Sequence, residues 1–153
     1  MDEQEFWSVI DKLDWSETGD DSAVMEPAVT YLAEKDDEDI TEFYEILARL
    51  LYQIDGEASA ENMGDAPMID GDPYYSPDAF LYARCCVVAN GEATYREVLE
   101  DPAQMPRDME FESLLYLADK AWERKHGGEP GYEEFFCDTE YDFETFSNED
   151  QWG

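Results

Sequence analysis

Between Ser76 and Gly91 lies a segment that dictates what must surround it. Ser76 can cap a helix, Pro77 follows where its missing N–H is harmless, and Asn90-Gly91 supplies the left-handed turn that ends helices. In between, Phe80, Leu81, Ala83, Cys85, Val87 and Val88 leave almost no polar face. A helix that is apolar nearly all round has to be enclosed by other elements. The remaining sequence must therefore supply amphipathic partners for it.

It does so with helical spacing. Phe6, Ile10 and Leu13, with Trp7 beside them, predict a helix over 3–13, and a polar break follows from Trp15 to Ser22. Met25, Ala28, Val29 and Leu32 predict a second over 24–34, in which Pro27 is tolerable only in the first turn. The acidic run Asp36-Asp37-Glu38-Asp39 offers N-caps, with Glu42 three residues after Asp39. It leads into the clearest stripe in the chain: Ile40, Phe43, Leu47, Leu50 and Ile54, widened by Ile46 and Leu51 and stopped at Asp55-Gly56. Residues 57–75 read as a long connection broken by glycine and proline, with room for one helical turn near Ala58–Met63. A short helix over 92–99 ends at Asp101-Pro102. A last one over 110–125 buries Phe111, Leu114, Leu115, Ala118 and Trp122 before Gly127-Gly128. The expected fold is all-α: a compact bundle of five to six helices in one domain, 1–128, followed by an acidic, aromatic extension, 129–153.

Charge limits function more than fold. Forty-one Asp and Glu against nine Lys and Arg give a formal net charge of −32. Such a field repels phosphate backbones and anionic lipid, and no basic stripe exists, so direct nucleic-acid and membrane binding are excluded. Apolar residues at 43% and aromatics at 14% still provide enough surface to bury, unlike a disordered acidic chain. The self-repulsion destabilises the compact state. Either a basic partner offsets it, or the acidity serves solubility and salt tolerance. Met1-Asp2-Glu3-Gln4-Glu5 lacks the basic region and apolar run of a secretory signal, and Cys85, Cys86 and Cys137 make no even-numbered disulfide framework. A cytoplasmic location is the expectation.

The extension differs from the rest. From Glu129 onward there is no Lys or Arg, and acids interleave with aromatics, with a period of two in Glu140-Tyr141-Asp142-Phe143-Glu144. The segment is either a packed flank with its acids in water, or an extended arm for a partner's basic groove, with aromatic anchors among carboxylates. On the second reading the contact residues are Glu133, Glu134, Phe136, Asp138, Glu140, Tyr141, Asp142, Phe143 and Glu144.

Phe6-Trp7-Ser8-Val9-Ile10-Asp11, the whole of Ser76–Gly91 with its Arg84, then Tyr95, Asp101-Pro102 and Phe111–Ala118 through Lys125-His126-Gly127, occur in an order that resembles an uncharacterised bacterial family, the domain of unknown function numbered 4240. The likeness spans roughly 3–128 and is best from Ser76 onward. It implies an all-helical cytoplasmic domain and carries no established chemistry. The polar, Gly/Pro-broken stretch 57–75 departs from the pattern, and the acidic-aromatic extension lies outside it.

Candidate chemistry is sparse. His126 is the single histidine and reads as a cation at a helix C-terminus. Cys85 and Cys86 point about 100° apart on a helix, so they cannot share a metal. Asp65, Asp70 and Asp72 with Gly71 fail the calcium-loop template, which needs a bidentate Glu at a set distance. No catalytic, cofactor or metal residues are expected. Arg84, a cation in an apolar helix, needs a structural ion pair if buried, and Asp11 or Asp78 are its expected partners. The leading functional expectation is an acidic inhibitor, such as an immunity or antitoxin-like protein that occupies the groove of a basic, nucleic-acid-processing toxin. The alternatives are a small-ligand domain or enzyme with a pocket near Arg84, Tyr82 and Tyr95, or an acidic scaffold in a larger assembly.

Overall fold

The computed structural model describes residues 1–153. Seven α-helices dominate: α1 (Glu3–Ile10), α2 (Asp21–Ala33), α3 (Asp37–Gln53), α4 (Glu57–Ala60), α5 (Pro77–Ala89), α6 (Glu92–Glu100) and α7 (Leu117–His126). Short 3-10 turns cover Trp15–Glu17, Pro102–Gln104, Glu112–Tyr116 and Glu149–Gln151. The one sheet is a hairpin of two-residue strands, β1 (Met68–Ile69) and β2 (Asp72–Pro73). No helix is long and apolar enough to cross a membrane.

The chain sorts into two compact units that do not divide at residue 128: Met1–Leu47 with Ser113–Glu140, and Ala48–Glu112 with Tyr141–Gly153. The first holds α1, α2, most of α3 and α7. Asp2 and Asp20 cap α1 and α2 through Glu5 N–H and Ala23 N–H. Phe6 stacks on Phe43 at 4.7 Å, and Val24, Met25, Ala28, Val29 and Leu32 of α2 are buried together with Leu117, Ala118 and Ala121 of α7. At roughly 1.5–3 kcal/mol per fully buried large apolar side chain, this stripe holds the helix more firmly than its propensity does. Pro27 lies inside α2, beyond the first turn, contrary to expectation. It is exposed, and Ala23, whose carbonyl it deprives of a donor, is half-buried.

The second unit is organised by α5. Ser76 Oγ accepts Ala79 N–H, as the sequence predicts, while Gly91 after the Asn90 cap takes φ 103° with ψ 171°, a conformation that suits glycine but is not the expected left-handed helical turn. From Phe80 to Ala89 every residue but Tyr82 is buried. The connection 57–75 contains α4 and the unforeseen hairpin, whose turn residues Asp70 (φ 54°) and Gly71 (φ 86°) both adopt the left-handed conformation that Asp-Gly favours in two-residue loops. Its strands are too short to alternate, which hides them from a periodicity reading. The helix expected over 110–125 is also corrected: residues 112–116 form a 3-10 turn, and α7 starts only at Leu117. Phe111, Leu114 and Leu117 are the buried positions there, a spacing of three that suits the tighter helix, while Leu115 is half-exposed.

Candidate partner-binding surface

The last turn of α3 contains no basic residue; Asp55 N–H reaches Tyr52 O at 3.1 Å, and side chains distant in sequence also donate to the four final carbonyls. Each receives one. Tyr95 Oη donates to Leu50 O at 2.7 Å, Arg84 Nη1 to Leu51 O at 2.9 Å, Asn148 Nδ2 to Tyr52 O at 3.0 Å and Gln151 Nε2 to Gln53 O at 3.0 Å. Arg84 is 0% exposed, with its guanidinium 4.8 Å from the centre of the Phe80 ring and Nη2 donating to Thr145 Oγ1 at 3.0 Å. Burial lowers its pKa, while the Asp55 charge opposes that shift. These bonds correct the expected ion pair, for none goes to Asp11 or Asp78. Asp11 is the exposed C-cap of α1 in the first unit, and Asp78 is exposed in the first turn of α5, on a different face from Arg84. The cation answers the negative end of a helix, where the summed peptide dipoles favour it. Arg84 and Tyr95 are thus committed to backbone carbonyls, including in the region where a ligand pocket was expected.

Asp55, also 0% exposed, follows directly after that helix end. Its carboxylate accepts Phe146 N–H (3.2 Å) and Trp152 Nε1–H (2.9 Å) on Oδ1 and Asn148 N–H (3.0 Å) on Oδ2. Thr145 Oγ1 donates to Pro77 O at 2.7 Å while accepting from Arg84. Gly56 is needed beside this knot, because a Cβ there would lie 2.6 Å from Gln151 Oε1. Residues 145–152 are therefore built into the second unit. The only sequence sign of this is a helix end with no basic residue in its last turn, where Asp55 reads as no more than a stop.

The segment before it is fastened to the first unit. Trp122 Nε1 donates to Glu133 O at 3.0 Å, and the Phe135 ring packs on Tyr44 (5.5 Å) and Trp122 (5.6 Å). Glu45 accepts from Glu140 N–H at 3.4 Å and from the Cys137 thiol at 3.5 Å. Burial, with Glu45 and Asp138 nearby, pushes that thiol up to about 11.

From Phe135 to Thr145 burial alternates with period two, although no strand forms. Phe135, Cys137, Thr139, Tyr141, Phe143 and Thr145 turn inward, and Phe136, Asp138, Glu140, Asp142 and Glu144 face solvent. Of the residues expected to meet a partner, Glu133, Glu134, Phe136, Asp138 and Glu140 are exposed in the first unit. In the second unit Asp142 and Glu144 are exposed, whereas Tyr141 lies against Tyr52 at 5.0 Å and Phe143 is half-buried. Phe136 is 85% exposed, the most open large apolar side chain, between the half-buried Phe135 and Cys137.

Three consecutive basic residues at the end of α7 are engaged by acids of the first unit. Arg124 grips Glu26 with both terminal nitrogens, Nη2 to Oε2 at 2.9 Å, and Lys125 Nζ reaches Lys35 O (2.7 Å) and Asp37 (2.9 Å). His126 closes α7 as expected, its ring nitrogens 2.7 Å from Asp37 and 2.8 Å from Glu129, and these acids raise its pKa.

The family model described as a protein of unknown function (DUF4240) matches residues 1–124, so residues 125–153 lie outside it. No curated protein and no solved structure matches the chain.

Proposed function

We propose that this chain, which belongs to the DUF4240 family, is an acidic protein-binding inhibitor that neutralises a basic partner, in the manner of an immunity protein against a nucleic-acid-processing toxin. The observation that carries the reading is the alternation along 135–140. In the first unit one side of this stretch is pinned by Trp122, Tyr44 and Glu45, and the other offers Phe136, Asp138 and Glu140. Held in place before binding, these groups lose little conformational freedom on association. Toxins that cut nucleic acid carry basic grooves to meet phosphates, and fixed carboxylates beside an exposed aromatic anchor have the complementary chemistry. A net charge of −32 speeds such an encounter and repels acidic competitors.

The test is capture of the partner at low salt, its identification, and titration of its activity with the purified chain. A basic protein is expected, inhibited in a fixed ratio, with affinity falling as salt shortens the screening length from about 30 Å at 0.01 M to about 8 Å at 0.15 M. A triple variant, Phe136→Ala, Asp138→Asn and Glu140→Gln, is expected to weaken binding at least about tenfold, since hot-spot anchors are each worth 2 kcal/mol or more. Unchanged affinity in the triple variant, or binding indifferent to salt, refutes the reading.

A further inference from the structure

The second unit contains a cleft of about 410 Å³ lined by Tyr74, Tyr75, Phe146 and Trp152, with Glu57 and Asp72 also on its wall and no lysine or arginine. Its size is that of a small-ligand or side-chain pocket. Trp152 is central to its construction. Phe146 meets it edge-on at 4.6 Å, Tyr75 lies 6.0 Å away, and its indole N–H is turned inward to Asp55. The indole N–H is therefore already used and is not offered to an occupant as a donor. Phe146 is the second unusual feature. A bulky residue at φ 78° is a genuine outlier, and such strain persists only where surrounding bonds enforce it, most often at functional sites. Here the Asp55 carboxylate holds the Phe146 N–H, yet the ring stays 45% exposed at the cleft, so burial of the ring does not account for the strained backbone.

We propose that this cleft is a docking site for an arginine or lysine side chain carried on an extended segment of the basic partner. Several aromatic faces attract a cation through their quadrupoles, and the carboxylates of Glu57 and Asp72 supply full negative charge beside them. An anionic occupant meets two carboxylates and a net charge of −32. A neutral apolar segment would cover both acids without pairing them, at a desolvation cost. The inference takes the partner's positive charge from the function proposed above, but its site is separate from Phe136 and the acids around it.

The probe is a blocked acetyl-Gly-Arg-Gly amide and its citrulline counterpart, which is neutral and nearly the same shape, titrated into the full chain at physiological salt and followed by NMR. The arginine peptide is expected to shift the Trp152 indole N–H signal, and the citrulline peptide to bind at least tenfold more weakly. Phe146→Gly removes the ring and leaves a residue at ease with φ 78°, so relief of the strain offsets part of the lost Trp152 contact; the chain is expected to keep a cooperative melt and its far-UV circular dichroism while losing at least tenfold in peptide affinity. Glu57→Gln with Asp72→Asn is expected to do the same and to flatten the salt dependence. Equal binding by all variants, or shifts scattered away from Trp152, overturns the proposal in favour of unspecific attraction. The two readings also separate. A captured basic partner that binds Phe146→Gly at full strength sinks the cleft and leaves the inhibitor. A captured basic partner that docks through the cleft but keeps its full activity sinks the inhibitor and leaves the cleft.

Discussion

Replacing Asp55 by Asn keeps the shape of the side chain and removes its charge, which makes it the sharpest probe of how residues 145–152 are held. If the amide oxygen takes the place of Oδ1, it still accepts from Phe146 N–H and Trp152 Nε1–H, but both bonds lose their charge-assisted character, about 1 kcal/mol each. The amide nitrogen then faces Asn148 N–H donor to donor, and that buried group goes unsatisfied at about 1–3 kcal/mol. Together these give about 4 kcal/mol, a large part of the roughly 5–15 kcal/mol that stabilises a typical domain. Removing the negative charge near buried Arg84 adds to the loss. Thermal melting followed by circular dichroism should fall by on the order of 10 °C. Hydrogen exchange at the Phe146 and Asn148 amides should accelerate selectively. Combining Asp55→Asn with Arg84→Met should cost less than the sum of the two, because each single change strands the other's charge. A loss below about 1 kcal/mol, with both amides still protected, refutes the account.

Three further outcomes are expected. The raised pKa of His126 means its bonds to Asp37 and Glu129 contribute fully below the unfolded value of about 6.5 and fade as pH rises through the higher folded value; the lowered pKa of Asp37 sets the opposite, acid-side loss. NMR titration of the single histidine should give a midpoint above 6.5, and His126→Gln should flatten the stability profile above that pH. Truncation after Glu144 removes the donors to Tyr52 O and Gln53 O along with the ligands of Asp55, so it should destabilise the chain by several kcal/mol, on the order of 1 for each lost bond, where a loose arm would cost nothing in a denaturant melt. Cys85 and Cys137, pushed up to about 12 and about 11, and Cys86, raised by burial, should all react slowly with a disulfide reagent near pH 8 in the native chain and at once in urea.

Local chemistry determined much of this protein. Ser76-Pro77 and Asn90-Gly91 bound α5 because a capping hydroxyl, a locked φ and a glycine act within one turn of chain. The stripe from Ile40 to Ile54 fixes the buried face of α3 because helical periodicity is a property of neighbours in sequence. The period of two in 140–144 marked Asp142 and Glu144 as outward, but not that Tyr141 and Phe143 turn in, nor that Phe136 stands out where its neighbour Phe135 does not. Tertiary structure decided what no local pattern encodes, namely which distant donor satisfies which carbonyl. Arg84 turned to Leu51 O and not to Asp11 or Asp78, and Tyr95, Asn148 and Gln151 took the carbonyls on either side. Buried polar groups must find partners, but sequence gives only the need, and a pairing between residues 33 to 98 positions apart exists once the chain has closed on itself.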